Sequence, residues 1–317
     1  MGIKVLFLYP NTYGMNMLPP AIATFSSILK REGHKIEVFD TTYYSTDHGN
    51  NSDGTKEEGL NVVPFSKEMV KRGLVPKKTK WQDDITDQVN RFKPDLIALS
   101  TTEDMWELGV KLLGQIKSYT KDNKVPVIAG GVFPTFAPDL CIDNELVDLV
   151  CVGEGENALI DLCKKIESGE DYTDVTNLWV KKDGKVIKKN SITKPVDINK
   201  NPIIDTTIFE DKRLYRPMAG KVYKMFPVET IRGCPFTCKF CNSPDQANLY
   251  KGLGHNFYRK KRMDLVHKEL KHFKDVHKVE YMYFWADTFL GMSKKELDQF
   301  CEVYSDIKLP FWMQTRP

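Results

Sequence analysis

The sequence predicts an α/β protein: a doubly wound parallel sheet over residues 1–167, a connector with a β-hairpin over 168–222, and further strand–helix units over 223–317. Three observations carry this reading. Short apolar runs alternate with segments whose apolar residues recur at helical spacing, the pattern of parallel strands covered on both faces by helices. Glycine-containing turns follow several of those runs. At 317 residues the chain is long for one domain and comfortable for two.

Taken in order, residues 3–8 read as the first strand, running into Tyr9-Pro10. Pro19 and Pro20 suit the start of a helix, after which Ile22, Phe25 and Leu29 share one face up to Gly33. A second strand over 35–39 ends at Asp40. Residues 41–81 are polar and weakly patterned, with one short helix at 66–72. Ile85, Val89 and Phe92 mark a helix stopped by Pro94. A third strand at 95–100 leads to a helix face of Leu108, Leu112, Ile116 and Tyr119. A fourth at 125–129 enters Gly130-Gly131. A fifth at 147–152 enters Gly153-Glu154-Gly155-Glu156 and a helix with Leu159, Leu162 and Ile166. Ligands of such sheets bind at the carboxyl ends of the strands, so loops 10–18, 40–42, 100–104, 130–138 and 153–156 are the candidates. Their glycines are equally explained as turn chemistry.

In the connector, residues 178–187 form a hairpin about Asp183-Gly184, and 195–217 read as an irregular, proline-rich strap. A strand over 223–231 opens the second half and delivers a loop with three cysteines at its carboxyl end. The basic stretch 251–262 reads as a solvated helix start, with Asp264 capping a helix that presents Val266, Leu270 and Phe273. Residues 279–285 form a strand ending in Ala286-Asp287-Thr288-Phe289, where Asp287 is either a site residue or a turn cap. Leu297, Phe300 and Tyr304 mark a helix, and 310–314 a third strand.

Composition narrows the function classes. A formal net charge of +3 makes no case for nucleic acid or an acidic membrane as partner, and no apolar run is long enough to span a bilayer. The amino terminus reads as a strand rather than a signal peptide. Cys141, Cys151, Cys163 and Cys301 are scattered, as in a reducing cytoplasm.

Cys234, Cys238 and Cys241, spaced C-x3-C-x2-C, are different. Thiolates are soft ligands, and three in one short loop can converge on one soft metal centre. A four-iron cluster on three cysteines leaves one iron open to an outside ligand. A zinc knuckle with His255 as fourth ligand, or a redox pair of Cys238 and Cys241, are the alternatives. With Phe240 before the last cysteine and Arg232-Gly233 before the first, the stretch resembles the signature of the radical S-adenosylmethionine (SAM) enzymes. The resemblance implies a 4Fe-4S cluster, SAM chelated at the open iron, and release of a 5′-deoxyadenosyl radical on one-electron reduction. It also implies that Phe240 lies near the adenine, that Asp287 lies close to SAM, and that Arg316 reaches SAM or substrate.

The first half resembles the cobalamin-binding domain that precedes the radical SAM core in one class of these enzymes. The residues that carry this are Leu18-Pro19-Pro20, Gly33-His34, Asp40, Ser100-Thr101-Thr102, Gly130-Gly131 and Val152-Gly153-Glu154-Gly155-Glu156. It implies a Rossmann-like sheet whose Ser/Thr and Gly-Gly loops pack around a corrin and its nucleotide tail. The chain departs from one pattern: Asn11-Thr12-Tyr13-Gly14 stands where D-x-H-x-x-G would supply an imidazole to cobalt. Only about three of the strand–helix units of a radical SAM barrel are present, so the second half is expected to be a partial (β/α) barrel from a longer enzyme. The resemblance implies a cobalamin-dependent methyltransferase acting on an unactivated carbon of a small-molecule or lipid-like substrate, with flavodoxin or ferredoxin as electron donor. Ring rearrangement, cyclisation or oxidation on the same domains, and a non-catalytic zinc module, are the rival expectations.

Overall fold

A computed structural model describes residues 2–13, 17–46, 66–218 and 221–316. Part of the 41–81 excursion and of the 10–18 loop, including Gly14, falls outside the described residues. The first sheet is built from β1 (Lys4–Tyr9), β2 (Lys35–Asp40), β3 (Leu96–Ser100), β4 (Val127–Gly130), β5 (Leu149–Cys151), β6 (Leu178–Lys182) and β7 (Lys185–Lys189), in the order β2-β1-β3-β4-β5-β6-β7. The first five pair in parallel. The order reverses direction between β1 and β3, which leaves a crevice at their carboxyl ends.

Strand β1 shows why its residues are apolar throughout. Val5 and Phe7 join the core on one face, with α1 (Pro20–Arg31) and α8 (Glu156–Ser168). Leu6 and Leu8 join the core on the other, with α3 (Trp81–Phe92) and α4 (Trp106–Gln115). Successive side chains point to opposite faces, so a strand covered twice cannot alternate with polar residues. The short α2 (Ser66–Lys71) falls within the helix expected at 66–72.

Four expectations are corrected. The fifth strand is shorter than 147–152. The helix face running from Leu108 to Tyr119 is two helices, α4 and α5 (Lys117–Asp122), that meet at Ile116. Residues 130–138 are not a plain loop: Gly131, at φ 114°, turns the chain into α6 (Val132–Phe136), and Pro138 opens α7 (Pro138–Asp143). The 178–187 hairpin, expected in the connector, is hydrogen-bonded antiparallel to β5 and buries Leu178 and Val180 in the first core. Its turn places Asp183 at φ 51° and Gly184 at φ 73°, the positive pair a two-residue hairpin requires. The exposed, lysine-rich β7 then forms an edge unsuited to further pairing.

The second sheet, β13-β12-β9-β8, comprises β8 (Tyr215–Met218), β9 (Lys221–Glu229), β12 (Tyr281–Trp285) and β13 (Phe311–Met313). β9, β12 and β13 are parallel, whereas β8 runs antiparallel beside β9. The sequence reading left β8 in the irregular strap because Pro217 breaks a strand pattern; at an edge, proline is tolerated. A small pair, β10 (Ile231–Arg232) and β11 (Arg259–Lys260), flanks the cysteine loop. α9 (Ser243–Lys251) follows that loop. α10 (Met263–Asp275) buries Val266, Leu270 and Phe273 as its spacing predicts, and α11 (Lys294–Tyr304) packs Phe300 edge-on against Phe284.

The cap of α10 is corrected. Arg262 is the N-cap residue, and Asp264, inside the first turn, pairs with Arg262 at 2.9 Å while its carboxylate also meets the Leu265 N–H. The basic stretch 251–262 is solvated at Lys251 and Arg262 but paired between them. Lys260 pairs with Glu296 at 2.7 Å, and Lys261 with the buried Glu269 at 2.6 Å. Desolvation makes a buried ammonium without a carboxylate costly, so Lys261 is used inside the fold.

Candidate functional site

The carboxyl ends of the first sheet and the cysteine-loop side of the second face a cavity of about 450 Å³. Its walls on the first side are Ser100, Gly130, Gly131 and residues 153–156, with Pro20 and Phe25 of α1. On the second side they are Glu229, Arg232, Gln246, Tyr250, Trp285 and Asp287, and the strap contributes Asn201 and Pro202. This is the size of a small-molecule site, apolar with a few convergent polar groups. The strap is tied to α1, where Ser26 Oγ lies 2.6 Å from Asp205 Oδ2 and Ser27 Oγ donates to the Ile203 carbonyl at 2.7 Å.

Gly131 marks how tightly this wall is built. A Cβ there would stand 2.5 Å from the Thr101 carbonyl oxygen, on a backbone already in the left-handed half of φ. Only glycine permits the approach. Thr101 is buried, its N–H bonding the Gly130 carbonyl and its hydroxyl the Thr102 carbonyl. Thr102 is exposed and does not line the cavity. Pro19 also lies off the wall, its carbonyl accepting the Ala23 N–H at the start of α1.

Asp40 stands apart from the sites expected of it. Its Oδ2 takes the Arg213 Nε–H at 2.6 Å and its Oδ1 the Thr42 hydroxyl and N–H. Arg213 is 2% exposed, so its guanidinium needs that carboxylate, and Asp40 joins β2 to the strap rather than facing the cavity.

Glu154 lines the cavity, yet its carboxylate is engaged across it. Arg232 Nη1 lies 2.8 Å from Oε1, Arg259 reaches both oxygens at 2.9 and 2.6 Å, and the Val196 N–H donates at 2.7 Å. Burial raises this carboxyl, but Arg259 and Arg232 outweigh it and hold it below the ordinary range. A carboxyl depressed on folding adds stability above its unfolded value, near 4.5, and loses it as pH falls through the folded one. The urea midpoint of the wild type should therefore exceed that of Glu154→Gln most at neutral pH. The gap should close as the medium is acidified below pH 4.5; a gap that widened on acidification would contradict the ion-pair assignment.

The three thiols are free and lie on one loop, Cys234 and Cys238 half-buried and Cys241 exposed. Burial raises the Cys234 thiol, with Asp287, Cys241 and Cys238 adding to the effect and the Phe236 N–H opposing it. Among the described residues no three His, Cys, Asp or Glu side chains are gathered as a metal-holding group, and His255 is exposed on the turn after α9. Asp287 opens to the cavity. Protein mass around it raises its carboxyl, while the Ser243 hydroxyl and Gly233 N–H bond it and oppose the rise. Its carboxylate thus meets the base of the cysteine loop. Arg316 sits 4.7 Å above the Phe236 ring of the same loop, and the Phe240 ring is 95% exposed, outside the cavity wall.

The structure thus brings Ser100, Gly130, Gly131, Gly153, Glu154, Gly155 and Asp287 to one cavity and leaves Pro19, Asp40, Thr101, Thr102, Phe240, Arg316 and the three cysteines of the loop off its wall. Sequence reasoning missed Arg232, Glu229 and Tyr250 as cavity residues, and Arg259 as the partner of Glu154. Arg232 stood in the motif only as a lead-in, and nothing local marks which carboxylates it meets.

Residues 65–162 match the family described as the B12 binding domain. An uncharacterized methyltransferase of Pyrococcus horikoshii, PH0819, is 27% identical over 223 residues, covering 68% of this chain and 44% of that protein. The anaerobic magnesium-protoporphyrin IX monomethyl ester cyclase of Rubrivivax gelatinosus is 25% identical over 243 residues, covering 74% and 41%. The fold matches the solved structure of the cobalamin-dependent SAM radical enzyme OxsB at a TM-score of 0.68 and 18% identity, covering 98% of this chain and 38% of that one. It matches the radical SAM methyltransferase TsrM of Kitasatospora setae at 0.61 and 13%, covering 96% and 50%. The chain therefore spans half or less of the length of each of these relatives. Among the described residues no helix is long and apolar enough to cross a membrane.

Proposed function

We propose, for a chain that carries a B12-binding domain and has the fold of the cobalamin-dependent radical SAM enzymes, that it holds a 4Fe-4S cluster and a corrinoid on opposite sides of one cavity and cleaves SAM reductively. The observation that carries this is adjacency. Arg232 and Asp287 both line the cavity, and both belong to the base of the cysteine loop, one two residues ahead of Cys234 and the other bonded to Gly233.

The residues present fit both groups. For the cluster, the donor set is three free soft thiols on one loop. For the corrinoid, Gly130 and Gly131 present bare backbone to the cavity beside Ser100. When bound, the cluster supplies the electron that cleaves SAM and the corrinoid supplies a methyl carrier.

The chain's own residues bind and orient. Cys234, Cys238 and Cys241 are the cluster ligands, with no protein side chain assigned as a fourth. Ser100, Gly130, Gly131 and the backbone of 153–155 form the corrinoid wall. The Asp287 carboxylate accepts hydrogen bonds from a cationic or hydroxylated cosubstrate such as SAM. Arg316, held on Phe236, keeps a cation at the loop for the SAM carboxylate, and Phe240 offers its ring to the adenine. Phe25, Leu249 and Trp285 exclude water from the apolar part. Lys239, exposed at the loop tip, suits docking of an acidic flavodoxin or ferredoxin.

We take methyl transfer to an unactivated carbon as the reaction, in line with the names of PH0819 and TsrM; the cyclase of Rubrivivax gelatinosus keeps ring chemistry as the second reading. The test is anaerobic reconstitution with iron, sulfide and hydroxocobalamin, followed by SAM and a strong reductant. Formation of 5′-deoxyadenosine together with S-adenosylhomocysteine supports methyl transfer. 5′-Deoxyadenosine alone favours the second reading, and neither product would falsify both.

A further inference from the structure

We propose that the 153–156 loop of the first sheet is the seat on which the cysteine loop is positioned, with Glu154 as the positioning residue. Both flanks of the cysteine loop are fastened to it. On the amino-terminal flank, Arg232 Nη1 lies 2.8 Å from Glu154 Oε1 and 2.7 Å from Glu156 Oε1. Its Nε and Nη2 meanwhile reach Glu229 at 2.7 and 3.1 Å. On the carboxyl flank, Tyr250 of α9 turns its hydroxyl to accept the Glu154 N–H at 2.8 Å. The Tyr250 ring stacks on Phe257 at 5.1 Å, and Arg259, two residues further on, closes on both Glu154 oxygens. Glu154 is therefore gripped from before and after the cysteines at once.

Gly153 fits the same account. Its φ is 85°, and a Cβ there would stand 2.6 Å from the Tyr250 hydroxyl oxygen. That glycine makes room for a phenol of the second half, as Gly131 makes room for the Thr101 carbonyl. Bonds within the cysteine loop are few: the Cys241 N–H bonds the Cys238 carbonyl at 3.2 Å, the Ser243 N–H meets Cys241 Sγ at 3.5 Å, and the Phe236 N–H meets the Cys234 thiol. A loop with so little internal structure takes its placement from its ends. Guanidinium–carboxylate pairs fix direction as well as distance, which a single lysine would not. A ligand resting on residues 153–155 and one held by the thiols then share a single support, so each biases the placement of the other.

The proposal rests on the functional reading only for the identity of what the thiols hold, and its test needs neither cofactor. Amide hydrogen exchange is followed in the iron-free, corrinoid-free chain for wild type, Glu154→Gln, Arg232→Lys and Tyr250→Phe. Glu154→Gln should speed exchange over residues 233–242 roughly tenfold or more, the scale of losing a charged hydrogen bond, and leave β1 and β3 unchanged. Arg232→Lys should fall between it and wild type. Tyr250→Phe, which removes one neutral contact and keeps every charge, should speed the same segment about threefold and carries the comparison if Glu154→Gln does not fold. In reconstituted samples, Glu154→Gln should also change the electron paramagnetic resonance signature of the reduced cluster, with Arg232→Lys nearer to wild type. Unchanged exchange at 233–242, or an equal acceleration across the whole chain, overturns the proposal. A wild type that takes up no iron overturns the functional reading instead and leaves the exchange comparison to decide this one.

Discussion

Replacing Cys234, Cys238 or Cys241 singly by alanine should strip the reconstituted protein of its iron. Losing an outer-shell partner of a metal ligand costs about 10–100-fold in affinity, and losing one of only three ligands should cost at least that. Bound iron per chain, after reconstitution and desalting, should therefore drop by an order of magnitude or more. The 5′-deoxyadenosine formed from SAM should fall with it. Cys301→Ala is the control, since Cys301 is exposed on α11 and takes no part in the loop. Iron retained by all three single variants would sink the cluster assignment. About one zinc per chain, lost on His255→Ala, would replace it with the zinc alternative, in which a fourth protein ligand closes the site.

The largest effect on stability is expected from Arg213→Met. The Arg213 side chain is 2% exposed and that of Asp40 is 11%, with Nε 2.6 Å from Oδ2. Arg213 Nη2 also donates to the Met17 carbonyl at 2.9 Å. Removing one member of a buried pair leaves the other charge with no counter-ion, and such losses run to about 3–5 kcal/mol. Asp40 would retain only the Thr42 hydroxyl and N–H. Urea unfolding should show the full loss, and a deficit under about 1 kcal/mol would mean that the pair is not desolvated as the structure has it. Removing both charges at once, by Asp40→Leu with Arg213→Met, should recover much of the loss, because no unpaired ion is then buried. The strap would be released from β2 either way, so the double variant separates the electrostatic part from the tether.

Local patterns reported local facts well. The apolar run of β1 announced a strand covered twice, and Val266, Leu270 and Phe273 announced the buried face of α10. Asp183-Gly184 announced its hairpin turn. Where the reading slipped, it had treated a residue by its neighbours in the chain. The basic run at 259–261 looked solvated, and each of its three cations is paired with a carboxylate.

The sequence by itself determined the α/β alternation, the soft-ligand spacing of three cysteines, and the glycine loops at the strand ends. Each is carried by residues within a few positions of one another, where backbone geometry alone relates spacing to shape. Only the tertiary structure decided that Asp40 serves Arg213, 173 residues away, and that Glu154 serves Arg259, 105 residues away. It alone joined the hairpin to the first sheet and set Arg232 on the wall of the cavity. A carboxylate can satisfy any guanidinium that packing brings within reach, so its choice of partner belongs to the packed chain and leaves no trace in the order of residues.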